Sequence, residues 1–147
     1  MHIRNQIRNA IGNALLQVPE LEGRIYMSRT YPFSTAVLPG VNVAFSSEVI
    51  EDDRANVPGG RELFRTCTME VTVNLLGQDS DDEFDNLSAQ IEKVLYEGDE
   101  IRCLAKDWIL ASTEIEVLPE AEDPVTMGKM YWEFLYANID TQPEVAL

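Results

Sequence analysis

Histidine is the side chain best suited to acid and base chemistry near neutral pH, and the sequence contains only His2. Chain ends fray, so this position works against a precisely held general base. The sequence has no Gly-x-Ser-x-Gly turn for a nucleophilic serine. It also lacks the Gly-x-x-x-x-Gly-Lys and Gly-x-Gly-x-x-Gly loops that bind phosphate. We therefore expect no catalytic residues and no cofactor, and a protein that is not an enzyme.

Carboxylates alternate over residues 79–83, the spacing of the first ligands in a calcium-binding loop. The rest of that motif is missing, because Phe84 occupies the glycine position and Gln90 the position of the bidentate glutamate. The same residues fit the start of a helix, with Ser80 and Glu83 forming a Ser-x-x-Glu capping box. We predict a capped helix here and no metal site.

Cysteine and aromatic residues offer two further possibilities for chemistry. Cys67 and Cys103 are too few for a disulfide framework and lack the paired spacing of a zinc site, so both are predicted to be core residues. Trp132, Phe134 and Tyr136 fall on one side of a predicted strand and could stack nucleobases. The acidic composition favours a core role for these aromatic side chains instead.

The chain has 147 residues, with 11 Lys and Arg against 26 Asp and Glu, so its formal charge is 11 − 26 = −15. This charge opposes sequence-independent binding to nucleic-acid backbones. Residues 1–8 are interrupted by polar side chains, which predicts neither a signal peptide nor a membrane span and favours synthesis in the cytoplasm. The length predicts a single domain over residues 1–140, and residues 141–147 are predicted to be a flexible C-terminal tail.

Two helices are needed to position these residues. Apolar side chains recur at three- and four-residue steps over residues 2–17, which predicts an amphipathic helix that ends before Pro19. A second apolar stripe over residues 84–95 predicts a helix that stops near Gly98. A short helical turn is predicted within residues 99–108.

Strands account for most of the remaining chain. Residues 63–75 alternate, with Arg65 as the one exception on the apolar side, which predicts a long strand with its apolar side toward the helices and its Thr-rich side outward. Shorter strands are predicted at 23–30 and 41–46, and a closing hairpin at 109–118 and 127–138. The last strand is apolar on both sides, which predicts a central position or a covering partner subunit.

Two polar segments are predicted to be loops. Residues 47–62 form the most polar interior stretch and are predicted to be a mobile loop or a hairpin extension. Residues 119–124 form an acidic connection predicted to project from the sheet. The pattern as a whole predicts an α+β fold, a mostly antiparallel sheet of about four to five strands with two main α-helices packed on one face.

The order of these elements resembles the tail terminator, or tail completion, proteins of lambda-like siphophages. The resemblance is carried by the amphipathic helix over residues 3–16, by the run 67–73 that leads through 79–85 into the second helix, and by the closing strand 129–137. It implies a homohexameric ring that caps the tail tube, ends its polymerisation and presents a surface for the head to join. The implied partners are the tail tube protein and the head-tail connector protein. The implied location is the head-proximal end of the virion tail, after assembly in the host cytoplasm.

A closed ring requires heterologous contacts, and opposite charges help to select their register. The polar segment supplies four candidate subunit-interface residues, Asp52, Arg54, Arg61 and Glu62. The alternative is that this loop is merely solvated. If a pore forms, its wall is expected to be net negative, so that DNA passes without specific binding.

Two other readings are compatible with the sequence. A neck or stopper protein on the head side would show the same pattern. A small-ligand-binding regulatory domain is possible because antiparallel sheets backed by two helices support many functions. That second reading predicts a deep pocket and a stable monomer or dimer.

Overall fold

The computed structural model describes residues 1–27, 39–51, 60–77, 80–118 and 124–147. The helices and strands follow in chain order, with a 3-10 turn at Pro19–Leu21 after the first helix. They are α1 (Ile3–Leu15), β1 (Ile25–Met27), β2 (Gly40–Glu51), β3 (Glu62–Leu76), α2 (Asp81–Tyr96), α3 (Asp99–Arg102), β4 (Asp107–Leu118) and β5 (Val125–Ile139).

The five strands form one sheet in the order β1-β2-β3-β5-β4. β1 runs parallel to β2, and the remaining neighbours are antiparallel. The apolar residues of β3 and β5 pack with those of α1 and α2 in one core, so the two main helices lie on one face of the sheet. The predicted α+β fold is confirmed. We call the opposite face, on which no described helix lies, the outer face.

α1 begins one residue later and ends two residues earlier than predicted. Its isoleucine stripe, Ile3, Ile7 and Ile11, is fully buried against the sheet. Nδ1 of His2 accepts a hydrogen bond from the backbone N–H of Arg4 at 3.1 Å and so caps the helix.

Gly12 lies where α1 packs against β1. A side chain at this position would meet the terminal methyl group of Met27 on β1. A larger residue here would therefore require the flexible Met27 side chain to move.

β3 and β5 pair continuously from Glu62↔Ile139 to Leu76↔Val125 and form the middle of the sheet. The predicted long strand and the central position of the last strand are confirmed. The side chains of β3 that face the helices from Cys67 to Leu75 are fully buried. Trp132 is also fully buried, and its ring lies 5.0 Å from that of Tyr96 between centroids.

The predicted capping box at the start of α2 is wrong. The hydroxyl of Ser80 donates to the carbonyl of Leu76 at 3.1 Å instead of accepting from the helix. The backbone carbonyl of Ser80 still accepts from the N–H of Phe84 at 2.8 Å, so the helix starts at the predicted place. Its first turn carries Asp81, Asp82 and Glu83, whose charges stabilise the positive helix end.

Of the two alternatives predicted from residue 47, the hairpin extension is confirmed for residues 47–51, which continue β2 after a β-bulge between Phe45 and Ser47 and pair with β3. The bulge inserts one residue and changes which side chains face the helices. Val41, Val43 and Phe45 face them before the bulge, and Glu48 and Ile50 face them after it. The rest of the predicted loop up to residue 59 and the predicted loop at 119–123 lie outside the described residues.

The closing hairpin is confirmed as β4 and β5, with a second bulge between Leu110 and Ser112. β1 covers residues 25–27 of the strand predicted at 23–30, and residues 28–30 lie outside the described residues. The predicted helical turn is α3. Cys67 is buried as predicted, but Cys103 is exposed at the end of α3, where the helix turns away from the core.

The C-terminal segment, residues 140–147, contacts the start of α1. The N–H of Ile3 donates to the carbonyl of Pro143 at 3.0 Å, and the N–H of Leu147 donates to that of Ala137 at 2.9 Å. Gln6 Nε2 also donates to the carbonyl of Glu144 at 2.9 Å. The flexibility of residues 141–147 and the domain boundary at 140 stay predictions. None of the described helices is long and apolar enough to cross a lipid bilayer.

Candidate functional site

Two of the four predicted interface residues, Arg61 and Glu62, lie at the start of β3. Asp52 and Arg54 are outside the described residues. Arg61 Nε lies 3.5 Å from Asp140 Oδ2, and its carbonyl accepts from the N–H of Asp140 at 2.8 Å. Glu62 is exposed. The structure thus places this pair side by side where β2 and β3 are joined, and their role in assembly stays a prediction.

Gly60 fixes the chain direction at this junction. Its φ is +94°, a left-handed conformation that residues with a side chain rarely adopt. A side chain there would also collide with those of Ile139 and Asp140. The start of the described segment that leads into β3 therefore lies against the end of β5 at Gly60.

A buried polar cluster lies directly beneath this junction on the helix side. The Glu48 side chain is 4% exposed, and its Oε2 is 3.1 Å from Arg4 Nη1 and 3.2 Å from Arg65 Nη1. Glu48 Oε1 accepts a short hydrogen bond from the hydroxyl of Tyr136. We call Arg4, Glu48, Arg65 and Tyr136 the Glu48 cluster. It joins α1, β2, β3 and β5 through one carboxylate.

The surroundings of the cluster are equally constrained. Arg65 Nε donates to Asn138 Oδ1 at 2.8 Å, and the Asn138 amide donates to the carbonyl of Ile139 at 2.7 Å. The Arg4 guanidinium lies 5.0 Å from the centroid of the Phe45 ring, a cation–π contact. Each charge in the cluster therefore has a partner, which a buried ion pair requires.

The ionisation of the nearby groups disfavours nucleophilic chemistry. Burial, and then the hydrogen bond to Glu48, raises the pKa of Tyr136 above its usual value. Burial, with the Glu48 charge as a second cause, raises the pKa of the Cys67 thiol to about 12. Both groups are therefore protonated at neutral pH, where a thiol must be ionised to attack. The arrangement is suited to fastening four elements together.

Sequence reasoning did not find this cluster. Glu48 fell within the predicted loop, and Tyr136 was assigned to an apolar stripe. The sequence feature that could have indicated the cluster was Arg65, the one charged residue on the apolar side of the long strand. A buried guanidinium requires a buried anion.

The outer face of the sheet is strongly acidic. The strand pairings place seven carboxylates of the strands on this face and one cation, Lys129. These carboxylates are Glu51, Glu62, Glu70, Asp107, Glu114, Glu116 and Glu133. Lys129 Nζ is 3.4 Å from Glu116 Oε2 and offsets part of one charge. A polyanion would be repelled from this surface.

The end of the outer face nearest the β2–β3 junction mixes exposed apolar side chains with carboxylates. Val49, Phe64, Ile109 and Leu135 are exposed there on four different strands. Glu51 is paired with Phe64, and Asp107 is paired with Leu135. The outer face is thus acidic along its length, and apolar side chains are added at the end next to the predicted interface residues.

A shallow groove on the helix side bears on the small-ligand reading. It has a volume of about 310 Å³ and lies between α1, the end of α2 and α3. Its rim carries Glu97, Asp99 and Glu100, and Asn13 Nδ2 donates across it to Glu100 Oε2 at 3.1 Å.

Among the residues that the structure describes, no group of three or more His, Cys, Asp and Glu side chains is arranged to hold a metal ion.

Comparisons with known proteins complete the description. No protein-family model matches the sequence, and no curated protein matches it. Among solved structures, a chain described as part of the virion of a native gene transfer agent particle matches 91% of this chain and 91% of that chain. The two sequences are 14% identical and the TM-score is 0.39. A likeness of this degree supports no conclusion about function.

Proposed function

We propose that this chain is a virion structural protein that forms a homohexameric ring on the head-proximal end of a phage tail tube. The ring ends polymerisation of the tube and offers a surface to the head-tail connector. The observation that carries the proposal is the outer face, a broad sheet surface that is acidic along its length and carries exposed apolar side chains at one end. The resemblance in the order of the elements supports it from the sequence.

In this proposal the acidic middle of the outer face forms the wall of the channel. Duplex DNA is a dense polyanion, so a negative wall keeps it from adhering as it passes. Glu70, Glu114 and Glu133 lie on three different strands, which spreads this charge across the sheet. DNA is therefore a passing cargo and is not bound specifically.

The proposal assigns no catalytic step and no cofactor to the chain. The Glu48 cluster then has a mechanical role, because it fastens the junction that carries Arg61 and Glu62 to the body of the subunit. The head-joining position implies that the protein assembles in the host cytoplasm and ends in the virion.

The first test is the state of the pure protein. Light scattering is expected to give the mass of six copies of the 16.6 kDa chain, and negative-stain microscopy is expected to show rings. A monomer at high concentration, with or without divalent ions, would contradict the proposal.

The second test separates the tail end from the head side. Purified protein is added to isolated tail tubes and to filled heads, and its binding is followed by microscopy. The proposal predicts caps on the tubes, whereas a neck or stopper protein would bind the heads. Binding to neither, together with a stable monomer that takes a small ligand in the α1–α2–α3 groove, would favour a regulatory domain.

A further inference from the structure

β4 is an edge strand of the described sheet. Among the described strands it pairs with β5 alone, and all residues from 111 to 117 are exposed. Ile115 is 50% exposed and Val117 is 40% exposed. The strand contains no proline and no lysine, the residues that commonly block pairing at an edge. An edge of this length and composition is a template for another strand.

The opposite edge of the described sheet is β1. The register of the four strand pairs connects Ile25 in turn with Val41, Val73, Gly128 and Ile115. Ile25 and Ile115 therefore lie at the same height along the strand direction, on opposite edges of the sheet. By the same route Tyr26 is level with Glu114, and Met27 with Thr113. The short strand β1 therefore lies at the same height as the exposed middle of β4.

The strand directions agree with a contact between these two edges. β1 and β4 run in opposite directions within the sheet, because three antiparallel steps and one parallel step separate them. A rotation about an axis parallel to the strands preserves both height and direction. It would therefore bring β1 of one copy against β4 of the next as an antiparallel pair.

The side chains at this height are complementary. Ile115 and Met27 are both exposed in the single chain. In the proposed pair, Ile115 would lie opposite Ile25 of the neighbouring copy, and Met27 would lie opposite Thr113. Arg24, the residue before β1, stands level with Glu116. An opposite-charge pair across a ladder stabilises it.

The alternative pairing of β4 with β4 is disfavoured by charge. A two-fold axis at Ile115 would place Glu114 of one copy opposite Glu116 of the other, and like charges directly opposite destabilise a ladder. A β4–β4 pair would also give a closed dimer, whereas unlike edges that meet head to tail close into a ring.

We propose that copies of this chain join edge to edge, with β1 at Ile25–Met27 pairing antiparallel with β4 at residues 113–115 of the neighbouring copy. This inference rests on the proposed ring and specifies its subunit contact. It makes the sheets of neighbouring copies continuous, so that their outer faces form one surface.

Disulfide trapping tests the contact. Directly opposite residues of an antiparallel pair have Cα atoms roughly 4.5 to 5.5 Å apart, within the reach of a disulfide. Tyr26→Cys and Glu114→Cys are introduced together into a Cys103→Ser background, which removes the exposed native thiol. Mild oxidation is expected to give a ladder of linked chains up to the full ring. Each single variant and the pair Tyr26→Cys with Val145→Cys, another exposed position, are expected to stay unlinked.

The outcomes separate this inference from the proposed function. Linking by Glu114→Cys alone would show β4–β4 pairing and overturn the inference. Rings that form without any linking would overturn the edge contact and leave the proposed function standing. Absence of both rings and linking would overturn both.

A second variant tests the same contact without added cysteines, so its result does not depend on how the cysteine variants fold. Ile115→Lys adds an edge-blocking charge at a half-exposed position, and Val145→Lys adds the same charge in the C-terminal segment. Light scattering is expected to show loss of the ring for Ile115→Lys alone, with circular dichroism unchanged in both. An intact Ile115→Lys ring would contradict the inference.

Discussion

The hydroxyl of Tyr136 donates a short hydrogen bond to the carboxylate of Glu48, a residue 88 positions away in the sequence. The bond connects β2 with β5 on the helix side of the sheet, although β3 lies between them. Arg4 and Arg65 complete the contact. The stability of the subunit and the position of the β2–β3 junction therefore depend on one carboxylate.

Glu48→Gln is expected to lower the free energy of unfolding by about 3 kcal/mol, because it leaves the buried Arg65 guanidinium without its anion. Urea unfolding followed by fluorescence measures the change. Glu51→Gln makes the same substitution at an exposed position of the same strand and is expected to stay within about 0.5 kcal/mol. Equal effects of the two substitutions would show that the cluster contributes little.

Arg61→Glu is expected to weaken ring assembly and leave the monomer folded. Because Arg61 also pairs with Asp140, the double variant Arg61→Glu with Asp140→Arg restores the intramolecular pair with its charges exchanged. Assembly measured by light scattering is expected to stay weak in both variants if Arg61 contacts a neighbouring copy. Full recovery in the double variant would show that the pair acts only within the subunit.

The cap of α1 is expected to weaken in mild acid. Burial, followed by the Arg4 and Arg65 charges, lowers the pKa of His2 below its usual 6.5. Since the folded pKa lies below the unfolded one, this contribution to stability is complete above 6.5 and is lost as the pH falls through the folded pKa. Protonation also removes the acceptor at Nδ1 that caps the helix.

His2→Asn keeps a capping acceptor and removes the titration, so its stability is expected to fall less than that of the parent chain between pH 7.5 and 5.5. Thermal unfolding at the two pH values measures the difference. An identical loss in the two proteins would assign the pH dependence to other groups.

The two cysteines are expected to differ sharply in reactivity. A thiol reagent should modify Cys103 at once, because it is exposed, and should reach Cys67 only after unfolding. Burial and the pKa of about 12 both protect Cys67. Mass spectrometry of the labelled chain counts the modified thiols, and Cys103→Ser is expected to take up no label while folded. Rapid labelling of Cys67 would reveal local opening near the Glu48 cluster.

Long periodic segments were predictable from the sequence. β3 was placed to within one residue at each end, because thirteen alternating residues, with Arg65 as the one exception, leave one register for the apolar side. α1 was found through its isoleucine stripe. The parallel pairing of β1 with β2 was not predicted, because the turn residues between two strands do not specify whether those strands pair parallel or antiparallel unless the connection is a tight hairpin.

The candidate site was only partly predictable. The bulge after Phe45 turns Glu48 toward the helices, and one inserted residue breaks the alternation that would have revealed the strand. Arg65 was recognised as an exception, but its partner was hidden by that change of register. The acidity of the outer face followed from the composition, whereas its position required the pairing of the strands.

The longest ladder in the sheet has a consequence for synthesis. β3 cannot pair with β5 until β5 has been synthesised. β5 ends at Ile139, after α2, α3 and β4 have been made. A nascent chain that has released β3 but not β5 can pair β3 with β2 and leaves its other edge, at Met69, Val71 and Val73, open. An incomplete chain therefore exposes the edge of the longest strand, a template for pairing with other chains.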